Sequence, residues 1–112
     1  MNFYNLEYPP GYKNSASALS GGCGSDKAWI DLVPDKIFGL DITEACKIHD
    51  YMYVIGGSRQ DKIKADKLFY RNLKTIVLNN HNLAMRKSWL ATIKLYYIAV
   101  RDFGDSSFNF TK

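Results

Sequence analysis

The uneven distribution of glycine and proline constrains the fold of this 112-residue chain more than any other feature of its sequence. All three prolines lie at or before Pro34, seven of the eight glycines lie at or before Gly57, and residues 58–103 contain neither. Because glycine and proline interrupt helices, residues 1–40 are expected to be largely loop. The sequence therefore predicts an all-α fold, in which an irregular, glycine-rich N-terminal segment precedes two antiparallel helices and a third helix over about residues 83–100.

Capping signals mark the ends of the first two helices. Asp41 can cap the first helix, while Glu44, three residues later, completes a capping box. That helix should end at Gly56-Gly57, where a residue with positive φ can close the last turn. The second helix is expected to begin at Ser58 and to end at Asn79-Asn80. The short Gly-Gly connection makes these two helices antiparallel neighbours.

Composition bounds the class of protein. A hydrophobic fraction of 46% is typical of a globular core, and no apolar run approaches the roughly 18 residues that a membrane-spanning helix needs. Two cysteines allow at most one internal disulfide, so hydrophobic burial must hold the fold. The net charge of +4 favours anionic partners, either nucleic acid or phospholipid head groups. The first residues lack a basic leader and an apolar centre, so no secretory signal is expected and no cellular location is assigned.

The second helix carries two stripes of residues at helical spacing. The stripe predicted to face inward contains one carboxylate among apolar residues: Ile63, Asp66, Tyr70, Leu73 and Val77. The stripe predicted to face outward is basic: Lys64, Lys67, Arg71 and Lys74. Burying an ionised carboxylate without a partner costs several kcal/mol. We therefore expect Asp66 to have a partner on a neighbouring helix.

His49 is the expected partner of Asp66. His49 precedes the Gly-Gly turn by about as many residues as Asp66 follows it. At about 1.5 Å of rise per residue, the two side chains lie ~12 and ~13.5 Å from the turn and can meet. Tyr53, one turn beyond His49, can add a hydroxyl to the same carboxylate. A histidine held in this way is an oriented general base, and a core ion pair without chemistry is the alternative interpretation.

A calcium site beside this histidine is the second candidate. Asp50 follows His49 directly, and a carboxylate next to a candidate general base suggests a hard cation. Calcium binds several oxygens, and a glycine-rich loop such as residues 21–26 can aim successive carbonyls at one point. Taken alone, such a loop is more often a flexible turn.

These motifs resemble those of the calcium-dependent phospholipase A2 family. The active-site helix of that family has the pattern C-C-x-x-H-D-x-C-Y, and four positions of residues 45–53 match it: Cys46, His49, Asp50 and Tyr53. Gly22-Cys23-Gly24 is similar to the calcium loop of the family, and Ala65-Asp66 followed by Phe69 is similar to its second helix. The resemblance covers residues 21–73 and implies a phospholipase A2-like fold.

Departures from the family pattern indicate a particular type within it. Ala45 and Met52 stand where the active-site helix usually has cysteines, and Asp26 stands where the animal enzymes have glycine. The interval between His49 and Asp66 is too short for the β-hairpin of the disulfide-rich secreted enzymes. The chain therefore resembles the compact, disulfide-poor bacterial or viral type.

The resemblance implies calcium-dependent hydrolysis of the sn-2 ester of glycerophospholipids. His49 would activate a water molecule, with Asp66 and Tyr53 orienting its ring. The implied calcium ligands are one helix carboxylate and groups of the loop: Asp50, Gly22, Gly24 and Asp26. The Gly24 N–H would stabilise the oxyanion, and a disulfide would join Cys23 to Cys46.

The resemblance also implies an organisation of the whole chain and a partner. Residues 1–112 would form one domain, with an aromatic N-terminal arm over 1–20, a catalytic core over 21–78 and a C-terminal helix and tail over 79–112. The basic stripe of Lys64, Lys67, Arg71 and Lys74 would lie against a phospholipid surface, to which the protein binds without spanning it.

Two other interpretations of the same residues stay open. A zinc ion could be held by thiolate and imidazole side chains: Cys23, Cys46, His49 and His81. This interpretation leaves Asp50 and Asp66 without a role. Alternatively, the basic stripe could bind nucleic acid or another anionic partner in a non-catalytic helical module, although a run of charge is usually a solvated helix face.

Overall fold

The structure is a computed structural model that describes residues 6–12, 36–37 and 39–110. It is mainly helical, which confirms the all-α prediction at the level of fold class. In order along the chain, the elements are β1 (Lys36–Ile37), β2 (Leu40–Asp41), α1 (Thr43–Ile55), α2 (Arg59–Asn79) and α3 (Leu83–Phe103). The two strands form a short antiparallel pair that the sequence analysis did not predict.

The start of α1 differs from the prediction. Asp41 belongs to β2, and the N-cap residue, Ile42, makes no side-chain hydrogen bond to the helix. The Asp41 carboxylate accepts a hydrogen bond from the Thr43 N–H at 2.9 Å, and the Glu44 carboxylate accepts one from the Tyr12 hydroxyl at 3.2 Å. The predicted capping box is therefore wrong, because Asp41 is part of the paired strand β2 and the helix begins two residues later.

The other helix ends agree with the capping signals. Gly56 follows α1 with a φ of 72°, and its N–H donates to the Met52 carbonyl. Ser58 and Asp61 form a complete capping box at the start of α2, which ends at Asn79 as expected. The third helix extends three residues beyond the predicted end, to Phe103.

In the described part of the chain, α2 packs against both α1 and α3. Its buried face is apolar near the middle of the helix, where Phe69, Leu73 and Ile76 are almost fully buried. Ile63, predicted to face inward, is 37% exposed, whereas Lys62 is only 2% exposed. One residue corresponds to about 100° of helix rotation, so a small error in the orientation of the stripe exchanges these two neighbours. None of the helices in the described ranges combines the length and hydropathy of a bilayer-spanning segment.

Residues 6–12 attach to α2 through Asn72, which is fully buried. The Asn72 side chain accepts a hydrogen bond from the Glu7 N–H at 2.8 Å and donates one to the Glu7 carbonyl at 3.0 Å. The Glu7 carboxylate also forms an ion pair with Arg71, and the neighbouring Leu6 is buried in the core. One amide side chain thus satisfies both backbone groups of a residue outside the helices.

The residues after α3 return to the C-terminal end of α1. The Asn109 N–H and side-chain amide donate to the carbonyls of Tyr53 and Val54, both at 3.2 Å, and the Asn109 carbonyl accepts from the Gly57 N–H at 2.9 Å. Carbonyls in the last turn of a helix have no partner within it. The tail therefore caps α1, and Phe108 beside it is buried against the Tyr53 ring.

Candidate active site

The structure brings His49 and Asp66 together between α1 and α2. The His49 Nε2 atom lies 2.8 Å from the Asp66 Oδ1 atom, and both residues are 2% exposed. The two positions lie at similar distances from the Gly56-Gly57 turn, so the antiparallel helices place them at the same height. The contact expected from residue spacing is therefore present.

Tyr53 joins the same carboxylate. Its hydroxyl donates to Asp66 Oδ1 at 2.6 Å, and its ring lies 4.2 Å from the ring of His49 between centroids. Burial, followed by the negative charge of Asp66, raises the pKa of Tyr53 well above its ordinary value. Tyr53 is therefore a neutral donor at any physiological pH.

The imidazole of His49 is held on more than one side. The Phe69 ring stacks on it at a centroid distance of 4.4 Å, in addition to the contact with Tyr53. Because an ionised carboxylate can only accept hydrogen bonds, Nε2 must carry the hydrogen that it shares with Asp66. This assigns the Nε2–H tautomer to neutral His49, so a proton taken up by the ring arrives at Nδ1.

Lys62 is part of this cluster and was not among the residues that the sequence analysis singled out. Its Nζ atom lies 2.7 Å from the Asp66 Oδ2 atom. It also donates to the carbonyls of Val100 and Arg101, in the last turn of α3, at 3.0 and 3.3 Å. The spacing of four residues between Lys62 and Asp66 places both on one helix face and was the signal available.

Asp66 is ionised in this environment. Burial by itself would raise the pKa of its carboxyl group. Hydrogen bonds from His49, Lys62 and Tyr53 act in the opposite direction, and the charge of His49 adds to them, so that the pKa lies below its usual value. The carboxylate can therefore orient His49 and balance a positive charge on its ring.

The predicted calcium site falls mainly on residues outside the described ranges. Gly22, Gly24, Asp26 and the disulfide partner Cys23 all belong to that part of the chain. Asp50 is described and is 8% exposed, directly after His49 on α1. Its carboxylate is an oxygen donor of the kind that calcium prefers. Within residues 6–12, 36–37 and 39–110, no three side chains of His, Cys, Asp or Glu form a metal-holding group.

Cys46 is buried one turn before His49. This places it on the active-site side of α1, but its pairing with Cys23 stays a prediction. His81 is exposed after the end of α2, about 20 Å along the helix axis from the level of Asp66. It does not lie with Cys46 and His49, which disfavours the zinc interpretation.

The basic face of α2 is exposed as predicted, although its members differ in their surroundings. Lys64, Lys67, Arg71 and Lys74 are all exposed. Arg71 forms a bidentate pair with Glu7, and the Lys74 ammonium lies 5.0 Å from the centroid of a tyrosine ring. No ion pair involves Lys64 or Lys67 within the described part of the chain, so these two residues have the most available charge.

Known proteins and protein families were compared with this chain. No family model matches this chain, and no curated protein or solved structure is detectably similar to it.

Proposed function

We propose that this protein hydrolyses the sn-2 ester of glycerophospholipids in a calcium-dependent reaction. The observation that carries the proposal is the buried hydrogen bond of 2.8 Å between His49 Nε2 and Asp66 Oδ1. It assigns a tautomer to the imidazole and directs Nδ1 away from the carboxylate. This is the arrangement of an oriented general base, and it occurs on the helix whose sequence resembles the phospholipase A2 motif.

His49 is the proposed base. Its Nδ1 atom would take a proton from water as the water oxygen bonds to the carbonyl carbon of the sn-2 ester. The resulting imidazolium lies against the ionised Asp66, which compensates its charge. When the bond to the glycerol oxygen breaks, the same proton passes to that oxygen, giving a fatty acid and a lysophospholipid. Asp66 and Tyr53 act as positioning residues throughout.

Calcium is the proposed cofactor. Asp50 and the loop residues Gly22, Gly24 and Asp26 would hold it, and the Gly24 N–H would donate to the oxyanion. When bound, the ion supplies positive charge at the ester oxygen, where negative charge develops in the transition state. The burial of Asp50 next to His49 supports this part of the proposal, because a carboxylate in that position is a suitable ligand.

An anionic phospholipid surface is the proposed partner. A mainly apolar groove of about 190 Å³ runs beside α1, with Pro9, Pro10, Tyr51 and Ile55 among its lining residues; its charged lining residues are Asp61 and Lys64. Lys64 also belongs to the basic face of α2. Adjacent apolar and cationic groups are suited to the interfacial region of an anionic membrane.

Fatty-acid release from mixed phospholipid vesicles tests the catalytic proposal. The native chain and the His49→Gln variant are each assayed with calcium and with a chelator, and His81→Gln serves as the control at an exposed histidine. We expect His49→Gln to lower the rate by about 10²–10⁴-fold, since that is the usual contribution of a general base. Calcium-independent release, or equal release by native chain and His49→Gln, contradicts the proposal.

Vesicle binding tests the proposed surface separately. Replacing Lys64 and Lys67 together by Gln should weaken binding to anionic vesicles about tenfold, because each cation near the surface contributes roughly 1 kcal/mol before salt screening. The matched control replaces Lys87 and Lys94, two exposed lysines of α3, by Gln. Equal losses in both double variants would contradict a role for this face. Strong, salt-dependent binding to DNA or RNA instead would favour the anion-binding alternative.

A further inference from the structure

The Lys62 side chain is an unusual feature of the described core. It is 2% exposed, and a buried ammonium group is stable only when its charge and hydrogens have partners. Its three ammonium hydrogens face three acceptors within 3.3 Å: Asp66 Oδ2 and the carbonyls of Val100 and Arg101. Both carbonyls lie in the last turn of α3, at the negative end of the helix dipole. The fold thus provides a complete site for this cation.

Lys62 and His49 bind opposite oxygens of the Asp66 carboxylate. Oδ1 receives the hydrogen bonds of His49 and Tyr53, at 2.8 and 2.6 Å, and Oδ2 receives that of Lys62 at 2.7 Å. A carboxylate held at one oxygen alone can rotate about its terminal bond, because that torsion has broad minima. Donors at both oxygens remove this freedom.

The buried ion pair continues to the surface of the molecule. Lys62 Nζ lies 3.5 Å from Asp105 Oδ1, and Asp105 in turn forms a bidentate pair with Arg59. Positive and negative groups therefore alternate from the buried Asp66 outward. This chain links the start of α2 to the residues that follow α3, and Lys62 is the member in contact with both the buried carboxylate and the end of α3.

We propose that Lys62 is a positioning residue that holds the Asp66 carboxylate at Oδ2, so that Oδ1 stays directed at His49, and that it couples this orientation to the last turn of α3. Its expected effect on turnover rests on the proposed phospholipase function, whereas its effect on the His49–Asp66 hydrogen bond does not. A lysine that only fills space and stabilises the fold would leave that hydrogen bond unchanged.

The test compares Lys62→Met, which keeps the length of the side chain and removes the ammonium, with Lys94→Met at an exposed lysine of α3. The first measurement is the NMR signal of the His49 Nε2–H proton, with His81 as the internal reference. We expect this proton in Lys62→Met to shift upfield and to exchange at least about tenfold faster with solvent. Unchanged shift and exchange in a folded Lys62→Met protein would overturn the proposal.

The second measurement is the kinetics of fatty-acid release. Lys62→Met should lower kcat about tenfold or more with KM changed less than about threefold, since misorientation affects the reacting geometry more than binding. Adding Asp66→Asn to Lys62→Met should give a kcat no lower than that of Asp66→Asn alone, because Lys62 acts through Asp66. Additive losses would contradict this route of action.

Two results would each need a separate interpretation: a Lys62→Met protein that does not fold, and a native chain that releases no fatty acid. If Lys62→Met does not fold, the native protein is used, and a scalar coupling across the hydrogen bond between Lys62 ¹⁵Nζ and Asp66 ¹³Cγ is sought. Its presence supports the proposal, and a freely exchanging, uncoupled ammonium overturns it. If the native chain releases no fatty acid, the phospholipase proposal fails, while the His49 Nε2–H measurement still decides the role of Lys62.

Discussion

Replacing Gly56 by alanine should unfold the junction between the C-terminal tail and α1. Gly56 has a φ of 72°, a conformation that residues with a side chain rarely adopt. A Cβ atom at this position would lie 2.0 Å from the Asn109 carbonyl oxygen and 2.6 Å from the Asn109 Cβ atom. The first of these is a backbone atom, so no rotation of a side chain can relieve the contact, and the tail must move.

The magnitude follows from what the tail loses when it moves. Asn109 makes three hydrogen bonds at the end of α1, to Gly57, Tyr53 and Val54. Each contributes about 0.5–1.5 kcal/mol net, and positive φ costs an alanine about 1–2 kcal/mol more. If part of the tail readjusts, Gly56→Ala should lower the free energy of unfolding by about 3 kcal/mol. Activity should fall as well, since the Tyr53 carbonyl is one of the capped groups.

Gly39→Ala is the matched control. Gly39 also has positive φ, 86°, but among the described residues, apart from its own chain neighbours, no atom lies within 4 Å of the position of an added Cβ. Only the conformational cost applies there, so we expect a loss of about 1–2 kcal/mol. Urea unfolding followed by far-ultraviolet circular dichroism measures both variants. A difference between them below about 0.5 kcal/mol would refute the reasoning, because the tail would then contribute nothing to the cost at Gly56.

Three further predictions concern other parts of the molecule. Asn72→Ala should lower the free energy of unfolding by about 2–3 kcal/mol, because it removes both hydrogen bonds to the Glu7 backbone, and urea unfolding with an unchanged midpoint would disprove this. Hydrogen bonding and charge from Arg59 lower the pKa of Asp105 to about 2, below its unfolded value of about 3.9. The pair therefore stabilises the fold above about pH 4 and loses this contribution as the pH falls towards 2, so Asp105→Asn should show a weaker dependence of melting temperature on pH in that window. Tyr53→Phe keeps the ring contacts and removes one donor from a buried carboxylate. It should lower the free energy of unfolding by about 1.5–3 kcal/mol and slow fatty-acid release. A native unfolding free energy together with a native release rate would argue against the assigned role.

The candidate site depends on the end of the chain as much as on the two helices that carry His49 and Asp66. An added Cβ at Gly104 would lie 2.5 Å from the Tyr53 hydroxyl oxygen, so the end of α3 closely approaches the cluster. Phe108 packs edge-on against the Tyr53 ring at a centroid distance of 5.1 Å. The motif resemblance stops at residue 73, and so it contains no information about these contacts.

Local signals in the sequence were enough to predict the longest elements. Ser58 and the absence of glycine and proline from residues 58–103 indicated where α2 begins and that helices follow, and the structure adds a capping box between Ser58 and Asp61. The meeting of His49 and Asp66 was also predictable, because helical rise is constant and the turn between the helices is short. These predictions needed no knowledge of the core.

Predictions that depended on neighbouring elements were less accurate. The start of α1 was misplaced because a two-residue strand pair is too short to leave a periodic pattern. Ile63 was assigned to the buried face because it is apolar, and Lys62, which the structure buries instead, was not considered for that face. The acceptors that allow a lysine to be buried come from α3, some 40 residues away along the chain.

The sequence by itself thus determined the helices, their antiparallel order and the pairing of an imidazole with a carboxylate, all of which follow from local geometry. Only the tertiary structure decided which cation joins that pair, which residues close the site and how the tail caps α1. Those outcomes depend on burial and on backbone groups brought together from distant parts of the chain. Every residue has a backbone carbonyl, so the residue types alone do not indicate which carbonyls will accept these hydrogen bonds.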